Sequence, residues 1–575
     1  MDGMEFGTQF NFTYAPGVSP EQMLGFEMAG ELWSQHLADN VTINIFVEMT
    51  DYLPENVIGS ALPGIEDNVR YKDYRRKLNQ DITSEVDTLI NRNQQDETEK
   101  FTAYFSSQYD IDEGYKVDNN ERIKMTRANA KALDLINPHD TGLDGYILMR
   151  DLDGFDDGDL NDIRWSYDYS SDIIDSNSLD FLSVAIHEIG HTLGFVSGLD
   201  QADWLSGKRY VNSGNEDDYY SDLVGNLDNA TPLDMLRFSR ASYDMSGDDE
   251  NWIDMSLGGN PYLSFTGSGG SPVAYFATGE NIELGGDGDQ ASHWKKQDNA
   301  LGIMDPVLGL GQKRQITELD KQLFDAIGWD LKTGNLENTN LEAIHTEAKE
   351  VLVEKITAPA DESGIDVDHN ALTQWAATSS ASITETIAEA TKVIAPDYVN
   401  ENNNSKDDRG EMLREMIKDS GDIYKWGWKG YWWGWKGYWW GWKGYWQSAN
   451  DFNQDGFWQN LSWQSIDLSS NSESTNESLE LDIADIFGES NILQSEFDVA
   501  EDSISDDFFK RDRLTIETES NDLEKENVVE DRSDVEETVL ADSTTLDLNL
   551  LGSLLSEKLE DILKIDDELL VMPIN

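Results

Sequence analysis

The sequence contains no cysteine, which excludes disulfides and thiolate metal ligands together. Any metal must be held by His, Asp or Glu. The absence assigns no redox compartment, because a cysteine-free chain folds equally well in oxidising and reducing surroundings. Basic residues are scarce: 42 Lys and Arg stand against 113 Asp and Glu, a formal net charge of −71. That balance disfavours nucleic acid and anionic membrane surfaces as partners of the whole chain. No apolar run reaches about 18 residues, so no transmembrane segment is expected. The opening MDGMEFGTQFNFTYAPGV lacks a basic region followed by an apolar one, so no standard signal peptide is expected there. Histidine is also sparse, with seven in 575 residues.

Residues 1–331 read as one globular unit. QFNFTYA (9–15) alternates, SPEQMLGFEMAGELWSQHLA (19–38) has helical periodicity, and VTINIFVEM (41–49) alternates again. Helical stretches near 68–94 and 124–136, the strand GYILM (145–149) and a further helix follow. This order predicts an α/β (α+β) domain in which helices, one bearing the site, pack on a mixed twisted sheet. Residues 198–290 are rich in Gly, Asp, Asn and Ser and read as a loop-rich insertion, with TPLDMLRFSRASYD (231–244) as its core-like piece. Leu319, Leu323, Phe324 and Ile327 share one face of a closing helix.

The chemistry concentrates in AIHEIGHTLGFVSGLD (185–200). Residues four apart lie on one helical face, so His187 and His191 can aim their rings at one ion, with Glu188 beside them. Ser178 is the expected N-cap and Gly194 the residue just past the helix end, where glycine permits a left-handed turn. Three residues beyond that glycine, where such helices often supply a third ligand, stands Ser197, a poor zinc ligand. Either the site is defective or the third ligand comes from elsewhere in the chain. His293, in QASHWKKQDNALGIMDP, is the leading choice because a loop there could swing back under the ion. Asp200 and Asp234 are the other choices, and His139 a weaker one. His36, His345 and His369 lie in less suitable places.

HEIGHTLGF, a long insertion, SHWK and a methionine 11 residues after that histidine together resemble the leishmanolysin-like branch of the metzincin metallopeptidases. In that family the segment between the second and third zinc histidines is expanded, which would account for Ser197. The resemblance implies a metzincin-like catalytic domain with Zn2+ on His187, His191 and His293. It further implies Glu188 as general base, Gly194 as the turn glycine and Met304, in GIMDP, as the methionine packed beneath the metal. It implies hydrolysis of peptide bonds in protein or peptide substrates, outside the cell or at its surface. DGYILMRD (144–151) stands where an edge strand is wanted for a substrate to lie extended, and reads at least equally well as an ordinary core strand. Trp294 is expected to pack, and neither Tyr262 nor Tyr275 can be chosen as an oxyanion donor.

Beyond residue 331 the composition changes. Residues 332–425 read as a polar, partly helical linker. WGWKGYW then occurs three times in tandem over 426–446, holding nine of the 18 tryptophans. Two glycines per unit disfavour a helix, and an odd period disfavours a strand with one constant face. Its aromatic faces and Lys429, Lys436 and Lys443 suit contact with polysaccharide or a cell surface. Residues 447–575 form an acidic, largely disordered tail with 34 acidic and 7 basic side chains. DLDGFDDGDLND (151–162) and DFNQDG (451–456) are oxygen-rich candidates for Ca2+, though neither completes a twelve-residue loop. An adhesion protein using the tryptophan repeat, with the peptidase domain as scaffold, is the rival expectation; an intact Glu188 argues against it.

Overall fold

The first two alternating runs form strands that pair in parallel. The computed structural model describes residues 7–50, 53, 57–95, 99–106, 115–152, 163–169, 173–200, 230–246, 250–282, 285–332, 340–378, 382–395 and 462–467. Strand β1 (Gln9–Tyr14) runs beside β2 (Thr42–Thr50), from Gln9 opposite Thr42 to Tyr14 opposite Val47. Parallel neighbours need a crossover, and α1 (Pro20–His36) supplies it. Ser19 and Gln22 cap α1 reciprocally, each side chain accepting the other's backbone N–H, with Pro20 at the first helical position.

Next come β3 (Val57–Pro63), β4 (Ile65–Arg70), α2 (Tyr71–Gln80), α3 (Glu85–Asn93), β5 (Phe101–Phe105), β6 (Tyr115–Asn120), β7 (Arg122–Thr126), α4 (Arg127–Ala132) and β8 (Gly145–Arg150). The single helix expected over 68–94 is therefore a strand end and two helices. Ser84 starts the second with its own capping box, its hydroxyl accepting from Asp87 N–H, and this local bond outcompetes continuation of the first. The stretch 124–136 likewise opens as strand, because Thr126 caps α4 through Asn129 N–H.

The remaining elements are β9 (Arg164–Ser166), β10 (Ser178–Asp180), α5 (Phe181–Leu193), β11 (Arg237–Phe238), α6 (Arg240–Ser246), β12 (Ile253–Asp254), β13 (Tyr262–Leu263), β14 (Ala274–Tyr275), β15 (Val307–Gly309), α7 (Glu318–Ala326), α8 (Leu341–Ser363), α9 (His369–Ala376), α10 (Glu385–Thr391) and β16 (Ser462–Asp467). The architecture is mixed α/β. Its main sheet runs β1-β2-β8-β3-β16-β15, with β3 antiparallel to both neighbours. Strand β8 is hydrogen-bonded on both sides and buried along its whole length. It is a central strand: of the two roles open to 144–151 the core strand holds and the edge role is corrected, because both rows of its backbone groups are already paired.

Helix α5 packs against this sheet at two glycines. A Cβ on Gly145 of β8 would lie 2.6 Å from Thr192 Oγ1, and one on Gly59 of β3 would lie 2.6 Å from Val184 Cγ1. Side chains at either place would push helix and sheet apart. Ile45, Val47, Ile147, Val184 and Ala185 are fully buried in the main core. Within 198–290 the described residues form only short elements, as expected of a loop-rich insertion, and Leu233, Leu236 and Phe238 are buried. Strand β12 pairs with β5, tying the insertion to the earlier chain.

The stretch read as a linker carries three helices, and α8 packs on α1. Lys355 Nζ lies 2.6 Å from Glu27 Oε1, which also accepts the Tyr14 hydroxyl at 2.7 Å. Among the described residues no helix is long and apolar enough to cross a membrane. Both calcium candidates, apart from residues 151 and 152, the tryptophan repeat and most of 447–575 lie outside the described residues.

Where α7 meets the turn between α2 and α3, five carboxylates gather: Asp39, Asp81, Asp87, Asp325 and Asp330. Burial first, and then mutual repulsion, raise Asp39 and Asp81 to about 8 and Asp325 to about 7, from an ordinary value of 3.8. The folded state thus holds protons that the unfolded chain releases. These groups stabilise fully below their unfolded value, and the contribution disappears as pH rises through the folded ones. The urea midpoint is expected to fall between about pH 4 and pH 8 and to fall less in Asp39→Asn; equal slopes in the two proteins would refute the assignment.

Candidate metal centre

Asp180 caps α5, its Oδ2 accepting Ser183 N–H at 3.0 Å and Ser183 Oγ–H at 2.6 Å. The expected cap, Ser178, instead begins β10, where Ser178 pairs with Arg164 in a short parallel ladder. That pairing holds the chain extended through Asp180 and delays the helix by two residues. All 13 residues of α5 are buried, so its histidines lie inside the protein.

Helical spacing sets the first two rings side by side. His187 and His191 have their Nε2 atoms 3.0 Å apart and their ring centroids 4.7 Å apart. Gly194 ends the helix with φ +132°, a backbone angle costly for any side chain, and a Cβ there would lie 3.1 Å from Ile327 Cδ1. The turn brings Phe195 C=O to 2.8 Å from His191 Nδ1. The glycine therefore both stops the helix and orients the second histidine.

His293 arrives from beyond the insertion and completes the group. Its ring stacks on His187 at 5.2 Å and meets His191 edge-on at 4.9 Å. The three buried residues place one nitrogen each within 4.8 Å of one another, close enough to bind a metal ion. Each Nδ1 faces a main-chain carbonyl: His187 that of Ile303 at 2.7 Å, His191 that of Phe195, and His293 that of Gln290 at 3.2 Å. Donation from Nδ1 assigns the tautomer and leaves every Nε2 as a lone pair. Two facing lone pairs at 3.0 Å repel unless a cation lies between them, and ligands on a tetrahedral zinc ion stand roughly 3.3 Å apart. The donor set fits a divalent metal. Burial, reinforced by the neighbouring imidazoles, holds His187 and His191 well below the ordinary histidine value, in the neutral form a metal requires.

Two carboxylates weighed as ligands are engaged elsewhere. Asp200 accepts from Ala291 N–H at 2.5 Å, Ser292 N–H at 3.2 Å and the Ser292 hydroxyl. It grips the two residues that precede His293. Asp234 accepts from Ser197 Oγ–H at 2.6 Å, Gly198 N–H at 2.8 Å and Thr231 N–H at 2.9 Å. Ser197 also donates its N–H to Ser292 Oγ at 2.8 Å. The serine that looked like a missing ligand is thus half of a clasp that returns His293 to the helix.

Met304, fully buried, floors α5 at Gly190, its sulfur too close to leave room for a Cβ there. Asp320, a cap of α7, joins this floor to the third histidine. It accepts Ile303 N–H at 2.9 Å and Trp294 Nε1–H at 2.9 Å. Trp294 packs between Phe195 and Phe276, and Tyr262 donates its hydroxyl to Ser268 C=O. The contributions of Asp200, Asp234 and Asp320 were not legible in the sequence. Thr317-x-x-Asp320 signals a helix start, but nothing local reports the long-range donors. His139 is exposed and bonded to Thr42, and His36, His345 and His369 lie outside the group.

Glu188 is fully buried, one residue after the first histidine, and a Cβ on Gly59 of β3 would lie 2.5 Å from its Oε1. The carboxylate thus rests on the strand that faces the helix. Known protein families, curated proteins and solved structures contain no match to this chain.

Asp200→Ala removes the grip on Ala291 and Ser292 while leaving all three histidines in place. Its affinity for a divalent metal is expected to fall about 10- to 100-fold, as read by competition with a chromophoric chelator, with an unchanged far-ultraviolet circular dichroism spectrum. Undiminished affinity would remove Asp200 from the support of the centre.

Proposed function

We propose that the protein is a zinc-dependent endopeptidase of the metzincin type, close in plan to the leishmanolysin-like branch. One observation carries the reading: three buried imidazoles converge, each with its Nδ1 on a main-chain carbonyl, and Glu188 follows the first of them on the same helix. His187, His191 and His293 would hold the ion. Three nitrogen ligands without a thiolate suit zinc with an open position, the pattern of a catalytic site. Bound there, zinc would polarise a scissile carbonyl and lower the pKa of a water.

The chain's own part is proton handling and positioning. Glu188 takes the proton of the attacking water and returns it to the departing amine nitrogen. Burial of the carboxylate limits leakage of that proton to solvent. Gly194 keeps Phe195 C=O on His191, and Met304 packs on the helix that carries the first two histidines. A peptide needs an extended strand to lie on, and β3, beside Glu188, would offer its outer edge only where Ser462–Asp467 is not paired to it. Action outside the cell follows from the resemblance, as does a choice of protein substrates.

Elemental analysis of the purified chain, with casein hydrolysis followed in parallel, tests this. A single zinc ion per chain is expected, lost from His293→Ala together with chelator-sensitive proteolysis. Glu188→Gln is expected to keep its zinc and lose about 10²- to 10⁴-fold in rate. Full zinc and full hydrolysis in His293→Ala would overturn the ligand set, and zinc without hydrolysis in the wild type would overturn the peptidase.

A further inference from the structure

The segment Ser462–Asp467 joins the main sheet from far along the chain. It pairs antiparallel with β3, Ser462 opposite Ala61, Trp463 opposite Ser60 and Gln464 opposite Gly59, with a register shift before Ser465 meets Val57. Its other edge pairs in parallel with β15, Ser465 opposite Val307, Leu308 opposite Ile466 and Gly309 opposite Asp467. It also contacts α5.

These neighbours are the walls of the candidate centre. Gly59 is the residue on which Glu188 rests, so the backbone of Gln464 lies directly opposite the contact of Glu188 with the sheet. Strand β15 begins three residues after Met304 and four after Ile303, whose carbonyl orients His187. Strands β3 and β15 belong to one sheet only through Ser462–Asp467. With that segment withdrawn, two unpaired edges would face each other about 10 Å apart, two strand spacings. A slot one strand wide recognises an extended backbone of either origin, its own or a substrate's, through main-chain hydrogen bonds.

We infer that Ser462–Asp467 is a built-in inhibitory strand, seated in the peptide groove between β3 and β15. The inference rests on the peptidase reading above. A segment tethered to its own target acts at an effective concentration on the order of millimolar. Where the groove holds such strands with roughly 0.1 mM affinity, the tethered strand occupies it about ten to one over the empty state. Peptides from outside then compete for a site that is mostly filled, and release of the segment switches the enzyme on.

The test uses the full chain with Gln464→Pro, which removes an N–H and clashes with the ladder. Ile466→Pro, on the β15 side, is a second variant should the first fail to fold. Hydrogen exchange of the β3 amides, Val57 to Leu62, and cleavage of a quenched-fluorescent peptide library are measured on zinc-loaded protein. Faster β3 exchange with a rise of about tenfold in cleavage is expected, reversed by adding a synthetic peptide of residues 460–469. Unchanged exchange in both variants overturns the strand's place in the groove. Faster exchange with unchanged cleavage overturns the inhibition and leaves the peptidase standing. Faster exchange without cleavage in any of the proteins overturns the peptidase reading, and the inhibitory role with it.

Discussion

Two buried carboxylates close the chain on itself beside the histidine helix, and the metal centre depends on that closure. Ser197 and Ser292 are separated by 95 residues yet share a hydrogen bond. Bringing such ends together costs about 4 kcal/mol in chain entropy alone. Hydrogen bonds to charged groups contribute roughly 1.5–3 kcal/mol each. Asp234 takes donors from both ends of its loop, and Asp200 takes three from Ala291 and Ser292. Burial raises Asp200 to about 6, so it is largely ionised at neutral pH and its bonds keep their charge-assisted strength. The insertion can vary in length at small cost, since closure entropy grows only logarithmically, provided the clasp remains.

The second constraint is close approach. A Cβ on Gly59 or Gly145 of the sheet would strike α5 at the Glu188 carboxylate or the Thr192 hydroxyl, and one on Gly190 of α5 would strike the Met304 sulfur. Glu188 and Thr192, four apart on one face, are thereby brought to backbone distance from the sheet, and Gly190, on another, from the turn that holds Met304. A fully buried helix carrying polar side chains must satisfy them internally. The histidines do so through carbonyls of Ile303, Phe195 and Gln290, each on a different segment. The rings are consequently fixed in tautomer and direction by the fold, whatever ion they hold. Trp33 and Trp329 add to this frame by donating to carbonyls of Ile186 and Leu193 on α5 itself.

The main sheet carries the same economy of parts. Strands β8 and β3 support the helix, and the outer edge of β3 is met by Ser462–Asp467. An unpaired strand edge is a template for other chains. Here the residue that such an edge would present to a visitor is Gly59, beside Glu188, so edge protection and access to the centre become one question of which strand sits there.

Local chemistry was legible in the sequence because it acts over one or two helical turns. The i,i+4 pair His187 and His191, Glu188 between them, the turn at Gly194 and strands β1, β2 and β8 all follow from side-chain period and backbone preference. His293 was reached through the scarcity of histidine and a resemblance, and the structure brings it to the other two. Where reading failed, a local bond won over a longer period, as Ser84 and Thr126 show, or a strand pairing displaced a cap, as Ser178 shows. Tertiary structure alone decided that Asp200 holds the Ala291–Ser292 loop, that β8 is central, and that Ser462 meets Ala61. Those outcomes depend on which distant backbone groups remain unpaired after the core has closed, and no window of sequence contains that information.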